Sequence, residues 1–235
     1  MLEPLPATFV AGRNAMHALA EHVLAPARHR VDGHIGLVPT SGGFGTPSFG
    51  DGERVRVDGI ELVHERPGTT TRVGITTLGA AAQFVGVTLG EPTGAYTPNT
   101  PCAADLSIAL DVDTARALAA WIALGESLLV DLRETYAAHD PTSATLWPEH
   151  FDLACEIGDD AAGTRATYGA SPGDDVVDEP YLYVAPWDAG RRTGKLAAYS
   201  FGAGLTYEEL RASNDAKGTG MDFLLEGAAL LLGQP

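Results

Sequence analysis

The sequence predicts an α+β fold, with antiparallel sheet, a long central helix, and N- and C-terminal helices packed on one side. Three observations carry that expectation. Strand-like segments come in runs, between residues 54 and 77 and again between 150 and 186, instead of alternating with helices as a doubly wound parallel sheet demands. Asp58 and Gly59 separate two alternating segments, 54–57 and 60–65, the strongest two-residue hairpin signal a sequence offers. Between the runs, residues 113–139 set Leu118, Trp121, Ile122, Leu128, Leu129, Leu132 and Tyr136 in one broad apolar stripe at helical spacing.

Composition bounds the function. A chain of 235 residues, 45% hydrophobic and with a mean hydropathy of zero, can bury a substantial core and is neither disordered nor membrane-like. Its formal net charge of −16, from 31 acidic against 15 basic side chains, disfavours nucleic acid, because neutralising phosphates needs Lys and Arg. The same charge disfavours anionic membrane surfaces and favours cationic ligands or bound cations. Two cysteines, Cys102 and Cys155, make neither a disulfide framework nor a metal knuckle. No basic segment followed by an apolar run opens the chain, and the apolar run at 221–233 is too short for a bilayer. A cytoplasmic protein without a membrane partner is expected. It should form a single domain over 1–235, any subdivision falling in the Pro/Gly/Thr-rich connection at 90–102.

In chain order, residues 8–25 space Phe9, Met16, Leu19, Ala20, Val23 and Leu24 as one face of a helix that Pro26 should end. Arg13, His17, Glu21 and His22 fall on or near its solvated side. His17 and Glu21 are one turn apart, but no third metal ligand follows locally. Residues 33–49 begin as a strand and pass into a glycine-rich loop. That loop lacks the Lys and Ser/Thr of a phosphate-binding P-loop and the G-x-G-x-x-G spacing of a dinucleotide site. Phe44, held between glycines, is its candidate pocket-flanking residue. A third strand at 72–77 and a short helix at 77–86 follow. Asp113 can cap the long helix, and Pro141 stops it. Towards the end, 196–201 reads as a strand and Thr206 to Glu209 as a capping box opening a short helix. Thr219 reads as the cap of a last helix carrying Met221, Phe223, Leu224, Leu225, Leu230 and Leu231.

The site candidates lie between Leu146 and Trp187. Alternation sends Phe151, Leu153, Cys155 and Ile157 to one face, and His150, Asp152, Ala154 and Glu156 to the other. A turn at 158–163 returns the chain as a strand at 164–168. With Ile157 opposite Thr164, Glu156 faces Arg165 as an ion pair, Leu153 faces Tyr168, and His150 comes opposite Ser171 with Asp152 on the same face. A slip of one residue would dissolve the arrangement. Tyr181 and Tyr183 put two hydroxyl-tipped rings on one face of the 180–186 strand, where they either cap the core or wall a pocket.

An imidazole beside a carboxylate serves as general base or metal ligand near neutral pH. His150, Asp152 and Ser171 are therefore the catalytic candidates, although ASPGD is not the G-x-S-x-G elbow that exposes a nucleophilic serine. For a divalent cation the candidates are His150, Asp152 and Asp174, with Asp175, Asp178 or Glu179 as substitutes for the last. Their spacing matches neither an EF-hand nor a zinc motif. Ligand-binding candidates are His150, Asp152, Ser171, Tyr181, Tyr183 and Phe44. The expected function is small-molecule binding at a polar site around His150 and Asp152. The alternatives are a metal-assisted or acid–base hydrolase using those two residues, and a structural or partner-binding module, a homodimer included. No cofactor is predicted beyond the option of a divalent cation.

Four motifs add a resemblance. WPEHFD at 147–152, YGASPGD at 168–174, EPYLYVAPW at 179–187 and the opening GHIGLVPTSGGFGTP at 33–47 are similar to ordered motifs of uncharacterised bacterial proteins grouped as domains of unknown function. The excess of Arg over Lys fits a high-GC bacterial source. The resemblance touches both halves of the chain and implies one unit. It implies no activity, cofactor or partner.

Overall fold

The computed structural model describes residues 2–90 and 93–233; Glu91 and Pro92, inside the expected 90–102 connection, lie outside the described residues. The architecture is α+β, with two antiparallel five-stranded sheets and a long helix between them in sequence. By its contacts the chain divides into two compact units. The first comprises Leu5–Ala123 with Leu146–Phe151; the second comprises Met1–Pro4, Leu124–Thr145 and Asp152–Pro235.

The first unit opens with helix α1 (Phe9–Leu19), a five-residue π turn (Ala20–Leu24) and helix α2 (Ala25–Asp32). Pro26 was expected to end the first helix, yet it sits in the opening turn of α2. A proline ring inside a regular helix collides with the carbonyl four residues earlier, here that of His22. The widened π turn immediately before it relieves that conflict, and the helical path continues to Gly33, whose φ of 77° closes it. All five residues of the π turn are buried, so this stretch has no solvated side.

Strands β1 (Val38–Thr40), β2 (Gly43–Gly45), β3 (Arg54–Asp58), β4 (Glu61–Arg66) and β5 (Thr69–Gly74) then form a meander in sequential order. The expected hairpin is present, with Asp58 opposite Glu61 and Val57 opposite Leu62. The third strand lies at Thr69–Gly74 rather than 72–77, because it pairs with β4 directly after the Gly68 turn. Its residues are all exposed, and its Thr and Arg side chains suit an edge strand. Helix α3 (Leu78–Val85) is capped by the Thr77 hydroxyl, which accepts from the Ala80 amide at 3.2 Å.

Helix α4 (Val112–Thr135) buries Leu118, Trp121, Ile122, Leu128, Leu129 and Leu132, the stripe read from the sequence. The second sheet runs in the order β10-β9-β8-β7-β6, from β6 (Thr145–Trp147) through β7 (Asp152–Ile157), β8 (Ala166–Ser171) and β9 (Tyr181–Pro186) to β10 (Ala203–Thr206). Two expectations fail here. Residues 196–201 are not a strand. The last strand begins at Ala203, after Gly202 brings the backbone so close to β9 that a Cβ there would lie 2.2 Å from the Val184 carbonyl oxygen. The last helix, α6 (Ala216–Leu232), starts before Thr219, because Asp215 accepts from the Gly218 amide at 3.0 Å and caps it earlier. The capping box of helix α5 (Tyr207–Ala212) forms as read, Thr206 and Glu209 each accepting from the other's amide.

Glycines let helices approach this sheet. Gly227 of α6 lies against Val184, and Gly125 of α4 lies against Ala170, where a Cβ would stand 2.6 Å from that of Ala170. Gly125→Leu is therefore expected to destabilise the second unit by about 2–3 kcal/mol through overpacking. Urea unfolding measures it: a lower midpoint with an unchanged slope is the expected result, and an unchanged midpoint would refute the close approach.

Candidate functional site

Strand β7 pairs with β8 with Ile157 opposite Ala166 and Cys155 opposite Tyr168, two residues further along than the sequence arithmetic placed them. The cause is local. Thr164 and Arg165 belong to the connecting loop, where both amides donate to the Asp159 carbonyl, at 2.9 and 3.2 Å, and Arg165 Nη1 donates to the Gly158 carbonyl at 3.0 Å. An even slip keeps every side chain on its face. From the loop Arg165 still reaches Glu156 as an ion pair at 2.8 Å, with the guanidinium 5.2 Å from the Trp187 ring centre.

The pairing of β8 with β9 sets Ser171 opposite Tyr181 and Gly169 opposite Tyr183, so both tyrosines share the face that carries Asp152. Tyr183 crosses Gly169, where a Cβ would lie 2.4 Å from the ring, and its hydroxyl donates to Asp152. Tyr181 donates to Asp174 at 2.5 Å, and the other oxygen of Asp174 accepts from the Val176 and Val177 amides. Ser171 is 2% exposed, its oxygen accepting from the Gly173 amide. Phe201 stacks on Tyr181 with ring centres 5.7 Å apart, and Tyr199 stacks on Phe201 at 5.0 Å. Burial, followed by the neighbouring carboxylates, pushes both tyrosine hydroxyls far above their usual value, so they stay protonated donors. Five of the expected site residues, Asp152, Ser171, Asp174, Tyr181 and Tyr183, thus meet in the second unit, as a packed layer of rings over short hydrogen bonds.

The remaining two go elsewhere. His150 occupies an exposed turn of the first unit, its amide and that of Phe151 both donating to the Trp147 carbonyl. The turn ends at Phe151, whose φ of 52° is strained for a bulky side chain. Ring burial holds it there: Phe151 stacks on His17 at 5.4 Å and meets Phe44 edge-on at 5.0 Å. Phe44, expected beside a pocket, is fully buried core.

The first unit contains a cavity of about 290 Å³ whose wall includes Glu21, His22, Thr93, Tyr96, Thr100 and Cys102. The π turn puts two consecutive titratable residues into this wall, Glu21 at 1% and His22 at 7% exposure. Opposite them the chain has neither helix nor strand from residue 93 to 102, and Glu21 organises it. One carboxylate oxygen accepts from the Asn99 amide at 2.8 Å; the other accepts from the Thr100 amide at 2.8 Å and the Thr100 hydroxyl at 2.6 Å. His22 Nε2 lies 3.0 Å from the Thr100 carbonyl and 3.1 Å from the Thr100 hydroxyl. A carbonyl only accepts, so Nε2 carries the proton, and the hydroxyl passes its own to Glu21. The result is a directed chain from imidazole through hydroxyl to carboxylate. Burial works against the charge on Glu21, but His17, the Thr100 hydroxyl and the two amides outweigh it and hold the carboxyl below its usual range.

Sequence reasoning treated Glu21 and His22 as a solvated face. Helical spacing sets the pair on the side opposite Leu19, Ala20, Val23 and Leu24, so no local signal announced its burial. Tyr96, Thr100 and Cys102 carried no local signal, since an irregular segment has no periodicity.

A larger groove, about 620 Å³, lies between the hairpin tip and the outer face of α4, floored by Ala115, Ala119, Ala120 and Ala123. Its charged rim is already paired, Asp58 with Arg56 and Arg72, and Glu61 with Arg72. Among the described residues no group of three or more His, Cys, Asp or Glu side chains converges as a metal site would, and no helix is long and apolar enough to cross a membrane. No protein-family model, curated protein or solved structure matches the chain.

Proposed function

We propose that the protein binds a small molecule, and that it does so in the Glu21–His22 cavity of the first unit rather than around His150 and Asp152. One observation carries this reading: a buried carboxylate–hydroxyl–imidazole chain forms the wall of an open cavity. Burying an ionised carboxylate is costly, and a π turn inside a helix is rare and often marks a functional site. Convergent polar groups of perturbed acidity beside a cavity are the ordinary signature of a binding site. The aromatic layer over Asp152 and Ser171 supports a structural role instead, since its hydroxyls are spent on its own carboxylates.

Cys102 supplies the test. It is exposed and lines the cavity, whereas Cys155 is 1% exposed and burial pushes its thiol up to about 12. Monobromobimane should therefore label Cys102 alone in the folded protein, the second thiol reacting only in guanidinium. Fragments that bind the untreated protein in ligand-observed NMR should lose their signal on the labelled protein, with its melting temperature unchanged. Fragment signals that persist undiminished with Cys102 blocked, or no signals at all, would overturn the proposal.

A further inference from the structure

We infer that the ligand of this cavity is a small organic cation, an inference that rests on reading the cavity as the binding site. Three features point to it. Glu21 brings a carboxylate to the wall, and the donors it receives from Asn99 and Thr100 are neutral. His17 approaches it at 3.6 Å through an imidazole nitrogen, and among the described residues the wall contains neither Lys nor Arg. No Lys or Arg side chain in this wall therefore neutralises the carboxylate.

Tyr96 registers that charge. Its hydroxyl is pushed up first by burial and then by two carboxylates, Glu21 and Glu149. Glu149 approaches from the turn that precedes Phe151, its backbone carbonyl accepting from Asn99 Nδ2 at 2.7 Å. The half-buried Tyr96 ring forms part of the wall, and a ring face beside carboxylates favours an alkylammonium group over a neutral one. A divalent ion would need a converging ligand set that the described residues do not offer. An anion would meet Glu21 and no countercharge. At about 290 Å³ the space suits a molecule of roughly ten heavy atoms or fewer. The chain's overall charge of −16 also concentrates cations near its surface.

Shape-matched isosteres that differ in charge isolate the effect. Choline and 3,3-dimethyl-1-butanol share one shape and differ by the charge, as do n-butylammonium and n-butanol in near-equal volume; n-butyrate supplies the anion. Saturation-transfer NMR should show both cations binding at least about tenfold more tightly than their neutral partners, with butyrate silent. Blocking Cys102 with bimane should abolish the signals. Glu21→Gln should erase the preference for charge. Because that variant can also unfold, Glu149→Gln and Tyr96→Leu serve beside it, each expected to weaken choline several-fold more than dimethylbutanol. Neutral or anionic probes that bind in the cavity as well as the cations would overturn the cation inference and leave the binding reading intact. If none of the five probes binds, the cation inference falls while the fragment test still decides the binding reading; if binding ignores the Cys102 block, both fall.

Discussion

Glu21→Ala is expected to lower the stability of the first unit by about 3 kcal/mol, the range seen when one member of a buried charged network is removed. The variant leaves the Asn99 amide, the Thr100 amide and the Thr100 hydroxyl without the acceptor they share. At this chain length the loss corresponds to roughly 6–12 °C in melting temperature. Hydrogen exchange localises it: the amides of Asn99 and Thr100 should lose protection while those of the β3–β4 hairpin keep theirs. Protected loop amides in the variant would show that Glu21 does not hold this segment. The wild type should show the same dependence on pH. Folding holds the Glu21 carboxyl below its ordinary pKa of 4.5, so its contribution is fully present above that value. Stability is lost as pH falls below about 4.5 and through the lowered folded value, and Glu21→Ala should flatten that part of the acid limb.

Asp152→Ala should cost about 2–3 kcal/mol, because the Tyr183 hydroxyl then loses its acceptor within a layer closed by Phe201 and Tyr181. Tyr183→Phe, which removes the donor and keeps the ring over Gly169, should cost about half as much. The double variant should be more stable than the sum of the singles predicts, since neither partner is stranded. Thermal unfolding of the four proteins measures the coupling. Additive losses would mean that the two groups do not act as a pair. If the layer is structural, Asp152→Ala should also leave choline binding in the first unit unchanged wherever the protein remains folded.

The two variants contrast what was legible in the residues with what was not. The Asp152 face was legible. Alternation over 150–157 and the two-residue spacing of Tyr181 and Tyr183 assign faces by backbone geometry alone, and the pairing slip, being even, left those faces intact. The same slip removed His150 from Ser171, because the loop after β7 closes through Asp159 and holds Thr164 and Arg165 out of the strand. Glu21 was illegible for another reason. Helical spacing places it on a polar side, but an irregular segment that no periodicity announces packs over that side and brings Asn99 and Thr100 onto the carboxylate.

The sequence by itself determined the α+β class, the 58–61 hairpin, the long α4 stripe and the capping box at Thr206, all signals that arise within a few residues of one another. Only the tertiary structure decided which polar residues are enclosed. Enclosure depends on segments far apart in the chain: residues 99 and 100 reach Glu21 across nearly eighty positions, and a strained Phe151 is held against His17 and Phe44. No local periodicity encodes such contacts, because they arise from packing of elements whose mutual approach is set by side-chain volume and glycine rather than by backbone repeat.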